Sequence, residues 1–389
     1  MNYSFIQIVG EYDYISEFRE GLAFVRKNHC EKKAGYIDKT GDIVIPMDYC
    51  CEINGRFVDD CFNEGLAALI KDGKFGFVDK AGKTVVPFEY DYTYSFQEGL
   101  AAVKKGNKWG FVDKNGEVVI PLEYERAFPF QNGFAPVEKN ENTRYINKTG
   151  EIALMFDDAR DISLSIDGFN DGLVLVEKKG KKGYVDATGK VVIPIELEYD
   201  YFGCFNKGFA LVGIGKCQEI AFSRDDSMAH VRQRINEVKR NQRWGLIDKT
   251  GDVVIPIEYT SIKQFGTGLL IVEKDGKQNY MDGTGNILYQ TDYDEVGNYH
   301  EGLALAKKGD VLSFIDETGR VIIPLENDYD NVSFLKEGHA SVEKNGAYGF
   351  IDKTGNLIVS VEYNFVSLFS ECCAVVQKNG EWGIIQIET

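Results

Sequence analysis

Apolar side chains follow one pattern that recurs along the whole chain. In its third copy the pattern reads Gly-Leu-Ala-Ala-Val from Gly99, Lys-Trp-Gly-Phe-Val-Asp from Lys108 and Val-Val-Ile-Pro from Val118. Each apolar run is short, rich in β-branched and aromatic residues, and bounded by Gly, Asn, Asp or Pro, without the 3.6-residue period of a helix. The pattern therefore predicts three short β-strands in each copy.

Ten copies of this unit follow one another, and four of the nine steps between consecutive copies are 34 residues long. Longer steps after Gly21 and Gly208 indicate insertions, which repeat proteins place in loops. Stacked repeats form one body of any length, so residues 1–389 are predicted to be a single repeat domain. The units start near Gly21, Gly65, Gly99, Gly133, Gly172, Gly208, Gly268, Gly302, Gly338 and Cys372, with a half unit at 1–18.

Turn and anchor residues recur at fixed places in the unit. Asp-Lys-Thr-Gly segments such as Asp38 to Gly41 predict tight hairpins, because Asp favours the first position of a type I turn and Gly tolerates positive φ. The strands they join are therefore antiparallel.

Proline after Val-Val-Ile, as at Pro121, is expected to end the strand or lie at a sheet edge. Three residues before most unit starts stands an aromatic anchor, as at Phe96 and Phe130.

The two ends of the chain complement each other. The C-terminal unit stops after two strands, and the N-terminus opens with a segment that resembles the third strand and the anchor. Pairing them would close a ring without exposed sheet edges. The predicted fold is all-β: a tandem array of ten three-stranded antiparallel units of about 34 residues each. A propeller-like closed ring is favoured, and an open β-solenoid or superhelix is the alternative.

One inserted segment, residues 218–240, has a helical pattern. Met228, Val231, Ile235 and Val238 recur at three- and four-residue spacing, which predicts a helix over 227–240. Its other face is basic and suits an acidic partner or the acidic repeat surface itself. The candidate partner-binding residues are Arg232, Arg234, Lys239, Arg240 and Arg243.

Charge and cysteine usage restrict the partners and the compartment. The chain has 44 Lys and Arg against 61 Asp and Glu, a net charge of −17 that repels nucleic acid and anionic membranes. No leader peptide and no run of about 18 apolar residues is evident. Eight cysteines without a CxxC spacing are expected to be reduced thiols. A cytoplasmic protein is therefore expected.

No catalytic or metal-binding motif stands out. The chain has no phosphate loop, no Gly-x-Ser-x-Gly and no His-Glu-x-x-His, and the plentiful Asp residues are one turn position repeated. The best metal candidate, His29-Cys30 with Cys50-Cys51 and Cys61, matches no common zinc spacing. We therefore expect no enzyme activity, no metal and no cofactor.

An aromatic residue followed by Gly recurs in the second predicted strand. The glycine can leave room for a neighbouring strand to pack closely. Alternatively, the rings form a row of stacking platforms for sugars or peptides. The candidate platforms are Trp109, Trp244 and Trp382.

These motifs resemble the bacterial WG β-repeat family over nearly the whole chain, and units four and seven depart most from the pattern. The resemblance implies an all-β repeat architecture and a binding or interaction role, without site residues to carry over. The expected function is a non-catalytic scaffold that presents a β-repeat surface to a protein or peptide partner. The alternative is a carbohydrate-binding protein that uses the strand aromatics, and a hydrolase is the weakest interpretation.

Overall fold

The computed structural model describes residues 2–27, 33–50, 52–53, 56–57, 62–140, 142–153, 162–164, 168–215, 242–264, 270–275, 277–282, 284–290, 293–325 and 329–388. Throughout these residues the secondary structure consists of β-strands and turns, with no α-helix. The helix expected over 227–240 is not borne out, since residues 216–241 lie outside the described part of the chain.

The strands of the first half of the chain are these. The N-terminal strand is β1 (Asn2–Gln7). Unit 1 has β2 (Tyr14–Ile15), β3 (Leu22–Lys27), β4 (Lys33–Asp38) and β5 (Ile43–Cys50), and a small hairpin of β6 (Glu52–Ile53) and β7 (Arg56–Phe57) follows it. Unit 2 has β8 (Leu66–Lys71), β9 (Lys74–Asp79) and β10 (Thr84–Tyr90). Unit 3 has β11 (Tyr92–Thr93), β12 (Leu100–Lys105), β13 (Lys108–Asp113) and β14 (Val118–Tyr124). Unit 4 has β15 (Arg126–Ala127), β16 (Phe134–Lys139) and β17 (Asn142–Asn147). Unit 5 has β18 (Ile162–Leu164), β19 (Leu173–Lys178), β20 (Lys181–Asp186) and β21 (Val191–Leu197).

The second half continues the pattern. Unit 6 has β22 (Tyr201–Asn206), β23 (Phe209–Ile214), β24 (Arg243–Asp248) and β25 (Val253–Tyr259). Unit 7 has β26 (Ser261–Gln264), β27 (Leu270–Lys274), β28 (Lys277–Met281) and β29 (Ile287–Gln290). Unit 8 has β30 (Glu295–His300), β31 (Leu303–Lys308), β32 (Val311–Ile315) and β33 (Val321–Pro324). Unit 9 has β34 (Asn331–Val332), β35 (His339–Lys344), β36 (Ala347–Asp352) and β37 (Leu357–Tyr363). Unit 10 has β38 (Phe365–Val366), β39 (Cys373–Lys378) and β40 (Glu381–Glu388).

A typical unit is a four-stranded antiparallel sheet, so the predicted three strands are one too few. Unit 3 has the strand order β11-β12-β13-β14, and the extra strand is the short segment Tyr92–Thr93, which precedes the aromatic anchor. Its pairing with β12 is only two residues long, Tyr92 with Lys104 and Thr93 with Val103. Because the last strand has no partner beyond it in the unit, it forms a sheet edge.

Both ends of the chain contribute to the tenth sheet, whose order is β1-β40-β39-β38. β1 pairs antiparallel with β40 over six residues, from Asn2 with Glu388 to Gln7 with Gly383. The N-terminal strand therefore supplies the missing last strand of unit 10, which confirms the prediction that the two half units add up to one.

The hairpin turns are those that the sequence predicts. In unit 3 the amide of Gly116 donates to the carbonyl of Asp113 at 3.0 Å, and Gly116 has φ of 84°. One carboxylate oxygen of Asp113 accepts the amides of Asn115 and Glu117, both at 2.9 Å. The Asp side chain thus closes the turn locally, and the same contacts recur at Asp38, Asp79, Asp186, Asp248, Asp282, Asp316 and Asp352.

The proline does not end the last strand. β14 continues through Pro121 to Tyr124, and its register with β13 shifts between Phe111–Ile120 and Trp109–Tyr124. Three residues of β14 therefore stand opposite the single residue Gly110, which is a large bulge. A proline is tolerated there because this edge strand needs no amide hydrogen bond on its outer side.

The glycine of the aromatic-Gly pair makes room for this bulge. A Cβ on Gly110 would lie 2.5 Å from the Ile120 carbonyl oxygen and 2.8 Å from the Leu122 amide nitrogen, both backbone atoms. A Cβ on Gly183, Gly245 or Gly349 would lie 2.5–2.6 Å from the corresponding carbonyl oxygen of its own unit. The packing explanation of the repeated glycine is therefore confirmed.

The core lies between neighbouring units. Anchor Phe130 is 1% exposed, and its ring meets that of Phe111 of the preceding unit edge to face, with centroids 4.9 Å apart. Such ring pairs add stabilisation beyond the buried area. Each of the described anchors is similarly buried: Phe18, Phe62, Phe96, Phe130, Phe169, Phe205, Tyr299, Leu335 and Phe369.

At four junctions among the described residues, a Glu carboxylate in the turn before a unit start joins that unit to the next through a backbone amide and a lysine. The Glu98 carboxylate accepts the amide of Gly133 of the next unit at 2.9 Å and pairs with the Lys148 ammonium at 3.1 Å. We call this arrangement the inter-unit clamp. It recurs with Glu20 on Gly65 and Lys80, with Glu64 on Gly99 and Lys114, and with Glu371 on Gly21 and Lys39.

Candidate interaction surface

The repeated Asp residues are held in their turns, and their electrostatics follow from that. The backbone amide of Glu117, with further donors in the turn, holds the pKa of Asp113 below its usual value although slight desolvation opposes this. The Thr284 hydroxyl and the Asn286 amide lower the pKa of Asp282 to about 2. A general acid near neutral pH needs a raised pKa, so these carboxylates are suited to closing turns.

The candidate stacking tryptophans lie in three different environments. Trp382 is 5% exposed, and its indole N–H donates to the Tyr12 carbonyl at 2.7 Å, so it is a buried contact of the closing unit and cannot serve as a sugar platform. Trp109 is half-buried and stacks on Tyr94, with centroids 5.6 Å apart. Trp244 is also half-buried, with Tyr201 edge-on at 4.9 Å. The three indoles therefore do not form one row of equivalent platforms.

A row of exposed apolar residues begins the last strand of most units, and sequence reasoning missed it. In unit 3, Val118 is 48% and Val119 is 42% exposed, whereas Ile120 is 1% exposed. Val118 pairs with Val112 and Ile120 with Phe111, so Val119 is the extra residue of a β-bulge. This bulge allows two consecutive apolar residues to face solvent. We call these positions the bulge row: Ile43, Val118, Val119, Val191, Val192, Val253, Ile287, Val321, Ile322 and Leu357.

Apart from Ile43, whose strand β5 also pairs with β8, the bulge row lies on edge strands of the sheets. Pro121 is exposed and follows the row directly in unit 3, and proline on an edge strand blocks pairing with another chain. Repeated exposed apolar side chains on an edge of this kind favour contact with a partner through side chains. The only sequence signal was the two adjacent apolar residues before the buried Ile120, and a strict two-residue period does not predict both as exposed.

Comparisons with known proteins agree with the repeat. The family model described as "WG containing repeat" matches residues 9–28, 35–49, 75–109, 109–142, 183–216, 244–277, 280–311, 313–346 and 348–382. These nine segments cover well over half of the chain. The chain belongs to the WG-repeat family.

No curated protein matches the chain. Among solved structures, a eukaryotic initiation factor is 9% identical with a TM-score of 0.46, covering 91% of this chain and 88% of that chain. Dihydro-heme d1 dehydrogenase NirN is 14% identical with a TM-score of 0.34 and coverages of 91% and 77%. The extracellular domain of a one-component system from B. thetaiotaomicron is 10% identical with a TM-score of 0.26 and coverages of 100% and 73%. All three structures are at most 14% identical to this WG protein, and their TM-scores are below 0.5.

Most of the predicted basic patch falls in a part of the chain that the structure does not describe. Arg232, Arg234, Lys239 and Arg240 lie outside the described residues. Arg243 begins β24 of a WG unit, is half-buried, and donates from its guanidinium to the Gln242 carbonyl at 2.8 Å. A role of these residues in partner binding therefore stays a prediction.

Four of the eight cysteines lie among the described residues. Cys50, Cys204, Cys372 and Cys373 form no disulfide bond, and His29, Cys30, Cys51 and Cys61 lie outside the described residues. Burial raises the pKa of Cys373 to about 11. No cluster of three or more His, Cys, Asp or Glu suited to a metal occurs among the described residues. No helix in that part of the chain is long and apolar enough to span a membrane.

Proposed function

We propose that this WG protein is a non-catalytic binding scaffold whose bulge row contacts a protein partner. The observation that carries the proposal is the exposed apolar row itself, with ten residues exposed by 36–58% at two adjacent positions of the repeated unit. Extended apolar exposure on a soluble protein marks interaction surfaces. A net charge of −17 favours a partner with a positive rim around its apolar contact.

The scaffold we propose is a closed ring of ten units. Closure is supported by the Glu371 clamp, which joins unit 10 to unit 1 through Gly21 at 2.8 Å and Lys39 at 3.2 Å, as clamps join other neighbours. The Lys336 ammonium also pairs with Glu17 at 2.7 Å, which connects units 9 and 1. A ring has no terminal unit to fray, so it presents the bulge row on a rigid frame.

Small-angle X-ray scattering tests the ring. A compact chain of this length has a radius of gyration of about 21 Å, and we expect a closed ring to stay near that value with a pair-distance distribution that has no long tail. A long, rod-like distribution with a much larger radius of gyration would refute closure.

Unit 2 supplies a natural design for testing the partner surface, because Thr84 stands where Val118 stands in unit 3. The variant combines Val118→Thr, Val191→Thr, Val253→Thr and Val321→Thr, which keeps β-branched residues on the strands. We expect the fourfold variant to recover at least tenfold less of a stoichiometric partner from native extract than the wild-type protein does. Thr84→Val extends the row and is the matched control, with recovery unchanged or increased. Equal recovery with the fourfold variant would reject the bulge row as the interface.

The basic segment is tested separately by deleting residues 218–240. If it contributes to partner binding, the deletion weakens recovery of the same partner, more strongly at low than at high salt. Unchanged recovery at both salt concentrations would assign the contact to the bulge row alone.

A further inference from the structure

A groove of about 680 Å³ opens where units 4, 5 and 6 meet. Its walls come from the turn before unit 5 and from β22, the first strand of unit 6. The residues that give it its chemistry are Asn132, Asn170, Asp171, Tyr201, Cys204 and Asn206. The volume is within the range of about 300–1,000 Å³ of small-molecule sites.

The groove coincides with a junction that lacks the clamp. Between units 3 and 4, Glu98 binds Gly133 and Lys148. Between units 4 and 5 the corresponding residues are Asn132 and Ala187, so both long charged side chains are replaced by shorter ones. The Asn132 amide instead donates to the Phe169 carbonyl at 2.6 Å. Asn132 lines the groove, and its side chain is shorter than the glutamate that takes this position at the neighbouring junction.

The lining suits a ligand with many neutral hydroxyl groups. Carboxamides both donate and accept hydrogen bonds, and the groove has three of them, at Asn132, Asn170 and Asn206. None of the described residues that line it is Lys or Arg, and the Asp171 carboxylate disfavours an anionic ligand. Asp171 is held in place because one of its carboxylate oxygens accepts the Gly208 amide at 2.5 Å.

Tyr201 adds an aromatic surface to this polar groove. Tyr201 is 46% exposed, and its ring makes a T-shaped contact with the Trp244 indole, with centroids 4.9 Å apart. The packing restrains the ring while leaving part of it open to solvent. Sugar rings combine an apolar face with hydroxyl edges, so a restrained aromatic ring beside carboxamides and a carboxylate matches both.

We propose that this groove binds a neutral saccharide, which stacks on Tyr201 and hydrogen-bonds to Asn132, Asn170, Asp171 and Asn206. This site is distinct from the bulge row and does not depend on the scaffold proposal. Its exposed aromatic residue is Tyr201, which the sequence did not single out, and Trp244 acts by positioning that ring.

Saturation-transfer NMR on the full chain tests the proposal with glucose, galactose, mannose, N-acetylglucosamine and cellobiose. Each sugar is added to about 10 mM, at which a site with a Kd of about 1 mM is nearly full. We expect transfer to at least one sugar, centred on one face of its ring, and none to inorganic phosphate. Absence of transfer to all five sugars would overturn the proposal.

Variants locate the site without endangering the fold. Asn132→Glu combined with Ala187→Lys installs the ion pair of the neighbouring junction, which should fill the groove and weaken sugar binding at least tenfold in titration. Glu98→Asn combined with Lys148→Ala is the matched control at a junction without the groove, and it should leave the Kd unchanged. Tyr201→Ala should also weaken binding at least tenfold. Sugar binding that survives both the filled groove and Tyr201→Ala would place the ligand elsewhere and refute the assignment.

Discussion

Replacement of Gly110 by alanine tests how the WG unit packs. The added Cβ would lie 2.5 Å from the Ile120 carbonyl oxygen and 2.8 Å from both the Leu122 nitrogen and the Pro121 carbonyl carbon. All three are backbone atoms, so no side chain can rotate away. Relief requires a shift of the bulge in β14.

The magnitude follows from two opposing effects. Alanine restricts the unfolded chain and by itself stabilises by about 0.4–1 kcal/mol. Overpacking costs about 1–3 kcal/mol, and contact with fixed backbone places this case at the upper end. We therefore expect Gly110→Ala to lower the free energy of unfolding by about 2 kcal/mol.

Gly297→Ala is the matched control, because its nearest contact is the Leu305 carbonyl oxygen at 3.5 Å, an ordinary van der Waals distance. Gly297 is not one of the glycines with a positive φ, so alanine fits its backbone conformation. The control variant should therefore be as stable as the wild-type protein or slightly more stable. Urea unfolding followed by circular dichroism measures both variants, with hydrogen exchange locating the loss in unit 3. Equal stability of Gly110→Ala and the wild-type protein would refute the bulge-on-glycine packing.

Three further predictions concern the core, the closing unit and the turns. Phe130→Ala removes a fully buried anchor and should cost about 3–5 kcal/mol in urea unfolding, and a loss below 1 kcal/mol would contradict its anchoring role. Trp382→Phe loses the hydrogen bond to the Tyr12 carbonyl and should lower the melting temperature. Trp109→Phe should lower it less, because Trp109 is half-buried. A larger drop for Trp109→Phe in a thermal melt would disprove the role of Trp382 in the closing unit. The folded-state pKa of Asp282 is about 2, below its usual value, so its contribution to stability is complete above about pH 4 and is lost as the pH falls towards 2. Acid titration should show a shallower loss of stability over that range for Asp282→Asn, and an unchanged slope would argue against the turn contacts.

Anchors and turns were predictable because each depends on a few neighbouring residues at a fixed spacing. Phe96 and Phe130 were identified as anchors from position alone, and both are at most 1% exposed. The hairpin closed by Asp113 and Gly116 follows from local hydrogen bonding and positive φ.

The missing first strand and the proline show where local reasoning failed. Tyr92–Thr93 is only two residues long, which is too short for any alternation to appear. Pro121 was expected to end its strand or mark an edge, and only the edge was right. A proline can stay within a strand when one side of that strand has no neighbouring strand. The sequence of a single segment does not show which side is unpaired.

The sequence by itself determined the all-β repeat, the number of units, the turn positions and the complementary ends of the chain. These features arise from local backbone preferences and from a side-chain pattern that repeats in register. Tertiary structure decided the rest: the clamp from Glu371 to Gly21, the exposure of Val118 and Val119, and the groove beside Tyr201. These features depend on contacts between residues from about 35 to 350 positions apart, or on a bulge that breaks the two-residue period, so no short stretch of sequence carries their signal.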